Sequence, residues 1–362
     1  MSPPFMTFEQ SLRRRELARR RRRRRRAFGL GAFALLGALA IVLVVALSKS
    51  GDRGKADAST TTATRARPEP VVKPALSAIG LPLAKPALSL GGLGSPQQDA
   101  VHIDFRHPPR GGVLFNLDSG QVLWQRNPYT RLRIASLTKM MTALLTVEAE
   151  PPNAHVLVTK AAVESAGSKV GVLPLGKHVR LETMLYGLLL PSGNDAAIAL
   201  AQHVAGSISG FVERMNQRAA QLGLGCTRYS SPSGYLDTGN FSCAADLAVL
   251  ADIDEQQPRL ARIVRTPSKQ LPLAIKGGKV YLYNNNPLLI YHYPGATGLK
   301  TGFTDAAGRC LVATAERGGV RLGVVVLHAR NPGTQARQLL DHAFQDVYHQ
   351  APVREPPMPA GA

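Results

Sequence analysis

Between Ala27 and Leu47 the chain runs for 21 residues without a charge, directly behind an arm in which residues 1–26 hold eleven arginines against Glu9 and Glu16. No other feature restricts the architecture as much. As an α-helix rising about 1.5 Å per residue, the run just crosses a bilayer core of about 30 Å. Arginines on its amino side are expected to stay cytoplasmic, which sends everything after Leu47 across the membrane. A cleaved signal peptide is the alternative, although the apolar region of such a segment is usually about 7 to 15 residues long. An arginine run also suits nucleic acid. Beside an apolar stretch of this length, retention at an anionic membrane face is the plainer reading, and no nucleic-acid partner is expected.

The rest of the chain divides by composition. Residues 48–100 are rich in Ala, Pro, Thr, Ser and Gly, as in ASTTTATRARPEP and LPLAKPALSLGGLGSP. They read as an extended tether, with apolar patches between Ala75 and Leu93 left over that could pack elsewhere. From residue 101 to 349 the pattern becomes mixed, and 350–362 form a short tail. In the mixed region, GGVLFNL and QVLWQRN flank a turn at Asp118-Ser119-Gly120 and predict a hairpin. Helical spacing predicts helices over 181–190, 209–222, 244–252 and 335–348, with Asp246 as a cap. The runs CLVATAE and LGVVVLHA, separated by Gly318 and Gly319, predict adjacent antiparallel strands.

Within this body, Ile134-Ala-Ser136-Leu-Thr-Lys139 opens an apolar run whose helical spacing puts Ser136 in the first turn with Lys139 on the same side. A serine hydroxyl needs a neighbour to take its proton, and an amine does so only when uncharged. Burial and a second cation would both depress the Lys139 pKa, and amides at the helix start could hold an oxyanion. The alternative is an N-capping serine beside a solvated lysine. Further on, Pro191-Ser192-Gly193-Asn194-Asp195 breaks a helical pattern and is expected to expose Ser192 and Asn194, or to use them as caps for the next helix. Lys300-Thr301-Gly302-Phe303 precedes the two late strands. On an edge strand, Lys300 and Thr301 could hold a carboxylate while Gly302 lets a substrate backbone approach; otherwise the segment is a turn.

Ser136-x-x-Lys139, Ser192-x-Asn194 and Lys300-Thr301-Gly302 each occur once and in this order, a trio found in penicillin-binding proteins and class A β-lactamases. With LYGLLLPSGNDAAIALA, FVERMNQRAAQLGL, SPSGY and GLKTGFTDAAGRCLVATA, the chain resembles the serine D-alanyl-D-alanine carboxypeptidases, the low-molecular-mass penicillin-binding proteins. The resemblance implies an α/β fold of the α+β type: an antiparallel sheet flanked by helices, an all-helical lobe, and a cleft between them. It implies that Ser136 attacks the penultimate D-alanine carbonyl of a peptidoglycan stem peptide, with Lys139 as base and Ser192 relaying a proton to the leaving amine. Asn194 would bind the acyl side of the substrate, Lys300 and Thr301 its terminal carboxylate, and the backbone N–H groups of Ser136 and Phe303 the oxyanion. β-Lactams would acylate Ser136. Three departures stand out. Pro332 occupies the place of a carboxylate-binding arginine, for which Arg330 is a nearby substitute. No second β-rich domain is expected after the last helix. Gly193 stands where class A β-lactamases usually carry aspartate.

Cys226 and Cys243 flank one compact loop and are candidates to pair; Cys310 reads as a small buried residue. No His-x-x-x-His, Cys-x-x-Cys or phosphate loop occurs, so neither a metal nor another cofactor is expected. Rival readings on the same fold are a DD-endopeptidase and a β-lactamase, and from another class a non-enzymatic wall-binding scaffold. The β-lactamase reading lacks the Glu that activates water for deacylation; Glu213 belongs to the FVERMN helix instead.

Overall fold

The computed structural model describes residues 83–353 apart from 87 and 237. The basic arm, the apolar run Ala27–Leu47, most of the tether and the end of the tail lie outside the described residues, as do the expectations attached to them.

The chain first forms the expected hairpin, β1 (Gly111–Asn116) and β2 (Val122–Arg126). A 3₁₀ turn at Ala135–Thr138 then leads into α1 (Lys139–Ala149). A small two-stranded sheet of β3 (His155–Leu157) and β4 (His178–Arg180) brackets α2 (Lys160–Glu164). Next come α3 (Leu181–Leu189), α4 (Asn194–Ala205), α5 (Ile208–Gln221), α6 (Ala244–Gln256) and α7 (Pro258–Val264). A second hairpin, β5 (Ser268–Pro272) and β6 (Lys279–Tyr283), precedes the one-turn α8 (Pro287–Ile290). The chain then forms β7 (Ala296–Thr304), β8 (Gly308–Arg317), β9 (Val320–Ala329) and α9 (Pro332–His342), which continues into a wider turn at Ala343–Val347.

The main sheet is antiparallel in the order β2-β1-β9-β8-β7, so β7 is an edge strand. Both faces are covered, which explains the nearly unbroken apolar runs of β8 and β9. Side chains alternate between two cores as strand geometry requires. Val113, Phe115, Cys310, Val312, Val325 and Leu327 enter the core shared with the helical lobe. Leu114, Leu311, Ala313, Val324 and Val326 enter the one under α9, with Leu339, Leu340 and Phe344. In the helical lobe α1 is buried along almost its whole length, as an all-round apolar helix must be.

Three local expectations change. The folded body begins before residue 101: Leu88 is buried in the main core, Gly91 bridges to Gln121, and the Ala84 carbonyl accepts from Arg218. These are the leftover apolar patches of the tether, and they pack because an apolar side chain next to a core gains more from burial than from water. Asp246 is no cap; its carboxylate accepts from Cys226 N at 2.8 Å and Thr227 Oγ1 at 2.6 Å, tying the preceding loop to α6. The last helix starts at Pro332, where proline suits the first helical position.

Candidate active site

The serine and lysine are placed by a junction of two helix types. Ser136 lies in the 3₁₀ turn and Lys139 is the first residue of α1, so three residues at 3₁₀ pitch return the lysine to the face of the serine. Ala135 just before them has φ of 47° and is fully buried, a backbone setting that only a packed surrounding maintains.

Lys139 Nζ is enclosed by three oxygens: Ser136 Oγ at 2.8 Å, Asn194 Oδ1 at 2.8 Å and the Ser233 carbonyl at 2.7 Å. Its side chain has no exposure, and burial, reinforced by the charge of Lys300, pushes its pKa well below 10.5 against the pull of Asp195. An uncharged amine has two N–H groups and one lone pair. The amide oxygen and the carbonyl can only accept, so they take both N–H groups, and the lone pair is left facing the Ser136 hydroxyl. The amide of Asn194 is fixed in this orientation because its Nδ2 donates to the Ala166 carbonyl at 2.6 Å.

The turn before α4 buries its polar residues instead of exposing them. Ser192 and Asn194 retain only 5% and 3% exposure, because the loop at 165–171 folds over the turn. Asn194 N donates to Ser168 O, while the Asp195 carboxylate accepts from Val170 N at 2.9 Å and Gly171 N at 3.0 Å. Ser192 sits at φ 65°, and its Oγ meets no partner among the described residues. It is therefore a hydroxyl held in a costly conformation with its hydrogen bond unspent. Gly193 is explained by space. A Cβ there would come within 2.8 Å of the Gly187 carbonyl and 2.7 Å of Asp195 Oδ1, leaving no room for an aspartate.

On the edge strand, Lys300 is buried and donates to the Thr301 carbonyl at 2.9 Å; burial lowers its pKa to about 7. Thr301 is half-buried and the Phe303 side chain 53% exposed. Gly302 lies against the serine turn. A Cβ on it would meet Ile134 O at 2.7 Å and Ser136 N at 3.2 Å, so its absence keeps open the space beside the Ser136 amide.

The structure thus brings Ser136, Lys139 and Asn194 into one hydrogen-bonded cluster, with Gly302 against it and Lys300 close enough to act on Lys139 electrostatically. Arg330 goes elsewhere. Its Nη1 lies 2.6 Å from His107 Nε2, in a cavity shared with Arg309 and Gln335. Sequence reasoning missed Ser233 and Asp195. Ser233 acts through a backbone carbonyl, which no residue type signals, although the SPSGY segment marked the place. Cys226 and Cys243 form a disulfide with Cα atoms 5.6 Å apart, and Cys310 is buried.

Residues 102–331 match the family model described as D-alanyl-D-alanine carboxypeptidase. The chain is 34% identical over 249 residues to the D-alanyl-D-alanine carboxypeptidase DacF of Bacillus subtilis, covering 67% of this chain and 63% of that one. It is 37% identical over 223 residues to DacB2 of Mycobacterium tuberculosis, covering 61% and 75%. The crystal structure of the Streptomyces K15 DD-transpeptidase superposes with a TM-score of 0.62 at 31% identity, over 67% of this chain and 99% of that one.

Proposed function

From the premise that this chain belongs to the D-alanyl-D-alanine carboxypeptidase family, we propose that it removes the terminal D-alanine of peptidoglycan stem peptides through an acyl-enzyme on Ser136. The observation that carries this is the buried, three-oxygen setting of Lys139, where burial and the charge of Lys300 favour the neutral amine and two acceptor-only oxygens direct its lone pair to one hydroxyl.

In the acylation step Ser136 Oγ forms a bond to the penultimate carbonyl carbon while its proton passes to Lys139 Nζ. The carbonyl oxygen becomes an oxyanion beside the amides of Ser136 and Phe303, where loss of one donor typically costs about 3 kcal/mol. Collapse breaks the amide bond. The D-alanine nitrogen takes a proton relayed through Ser192, whose hydroxyl has no competing partner among the described residues. Lys300 and Thr301 face the terminal carboxylate, and Asn194 holds the acyl side. Water then hydrolyses the ester with Lys139 again as base. A β-lactam enters by the same first step and stays as an acyl-enzyme.

The extracytoplasmic substrate requires the catalytic body outside the cell membrane. The arginine arm and the apolar run Ala27–Leu47 support a single-pass anchor with its amino terminus in the cytoplasm. The decisive experiment is D-alanine release from a D-Ala-D-Ala peptide by the full chain, alongside labelling by fluorescent penicillin. Wild type is expected to do both and Ser136→Ala neither. Rapid penicillin turnover without D-alanine release would make the protein a β-lactamase, and equal labelling of both proteins would remove Ser136 as nucleophile.

A further inference from the structure

Asp195 stands one residue after the Asn194 that holds Lys139, in the first turn of α4, where a carboxylate suits the positive end of the helix. It is 2% exposed, and three backbone amides donate to its carboxylate. Oδ1 accepts from Val170 N and Ala196 N, both at 2.9 Å, and Oδ2 accepts from Gly171 N at 3.0 Å. Two of these amides belong to the loop at 165–171, so one side chain ties that loop to the turn carrying Ser192 and Asn194.

The loop is seated closely on this turn. A Cβ on Gly187 would meet Val170 Cγ2 at 2.6 Å and one on Gly193 would meet it at 3.0 Å, so the two glycines form the seat of the Val170 side chain. A Cβ on Gly167 would meet Asn194 Nδ2 at 2.5 Å and the Tyr235 ring at 2.7 Å. Lys169, the charged residue of the loop, is turned outward and donates to the Val163 carbonyl. The Ala166 carbonyl that fixes the Asn194 amide lies on the same loop, so the clamp at Asp195 also sets the orientation of the oxygen that Lys139 meets.

A second consequence is electrostatic. When Lys139 accepts the Ser136 proton it becomes an ammonium without exposure to water, and such a charge is costly unless an opposite one lies near. The 3₁₀ turn, the Asn194 turn and the Ser233 segment offer it neutral oxygens. The charged groups acting on it are Lys300 on β7, which opposes a second positive charge, and Asp195 on α4, which favours one.

We infer that Asp195 is a positioning residue for acylation: its carboxylate clamps the 165–171 loop on the Asn194 turn and offsets the positive charge that Lys139 takes up from Ser136. The inference rests on the reading of Ser136 as nucleophile and Lys139 as its base.

The test is the pH profile of acylation by a fluorescent penicillin, measured on the full chain in detergent for wild type, Asp195→Asn and Asp195→Glu. Acylation needs Lys139 neutral and Lys300 charged, so its optimum lies midway between their two titrations. Asparagine keeps the size of the side chain and removes the charge. Lys139 then sheds its proton at lower pH, and the optimum should move to lower pH with it. The rate at the optimum should fall about tenfold, a part of the about 10² to 10⁴ that a positioned base supplies. Glutamate restores the charge, so its optimum should return toward that of wild type, while its rate stays lower because the longer side chain cannot meet Val170 N and Gly171 N in the same way. Every rate is taken below the thermal transition of the least stable variant, and Asp195→Ser, neutral and smaller, repeats the asparagine arm if asparagine unsettles the turn. Loss of a clamp alone would slow acylation equally at every pH. An optimum unchanged in the neutral variants would therefore overturn this inference by itself, whereas a wild type that the penicillin fails to label would overturn the reading of Ser136 and the inference with it.

Discussion

Lys139 and Lys300 are both buried, and each is asked for the opposite protonation state. In the proposed mechanism Lys139 must be neutral to accept the Ser136 proton, and Lys300 must be charged to hold a carboxylate. Replacing Lys139 by Met should slow acylation by fluorescent penicillin by roughly 10² to 10⁴, the usual worth of a positioned base, with the fold intact. Lys300 titrates at about 7, so the KM for a peptide ending in a carboxylate should rise as pH passes upward through that value. The same shift has a stability consequence. In the unfolded chain Lys300 keeps its proton to about 10.5, so between about 7 and 10.5 the unfolded state binds more protons and stability gains with pH. This reverses the behaviour of a lysine held by a carboxylate, because burial and not an ion pair sets the shift. Urea unfolding at pH 7 and pH 9 should show a larger gain in wild type than in Lys300→Met, and equal gains would refute the assignment.

At the scale of elements, the site is a contact between an edge strand and a 3₁₀ turn, with a gap between them that a single methyl group would fill. Gly302→Ala would drive a methyl group toward the backbone oxygen of Ile134 and the Ser136 amide. Neither backbone atom can swing aside as a flexible side chain would. The expected loss in acylation rate is about 10² to 10³, comparable with removing one oxyanion donor, and the backbone clash should lower thermal stability as well, so the rate is measured below the variant's unfolding transition. The Cys226–Cys243 bridge closes a loop of sequence separation 17 next to the Asp246 clamp. Its removal by Cys243→Ser should cost about 2–4 kcal/mol in equilibrium unfolding. The loop also carries Ser233, whose carbonyl holds Lys139, so acylation should slow along with the stability loss. An unchanged rate would mean that the loop is held by its hydrogen bonds alone.

For the described body as a whole, the chain that leads into the catalytic region is part of it. Arg218 donates to Ala84 O while paired with Glu148 in the core, and Gln125 donates to Gly92 O and to Asp99. A fragment beginning at Val101 would strand these buried groups and remove Leu88 from the core. It should therefore be several kcal/mol less stable than one beginning at Val71, given about 1.5–3 kcal/mol for each of these losses. Comparing urea midpoints of the two fragments checks this, and indistinguishable midpoints would return the segment to the status of a tether. What the sequence determined by itself was the chemistry and the order of parts: the three motifs, the hairpin, the adjacent late strands and the apolar helices are local patterns whose meaning is set by residue type and period. The covered sheet hid its own division of labour, because strands buried on both faces carry no alternation to show which side chains face the helices. Tertiary structure decided the rest. Only packing against distant segments could bury Ser192 and Asn194, recruit the Ser233 carbonyl and send Arg330 into a different cavity. Burial and backbone contacts belong to the surroundings of a residue, and those surroundings come from parts of the chain far away in sequence.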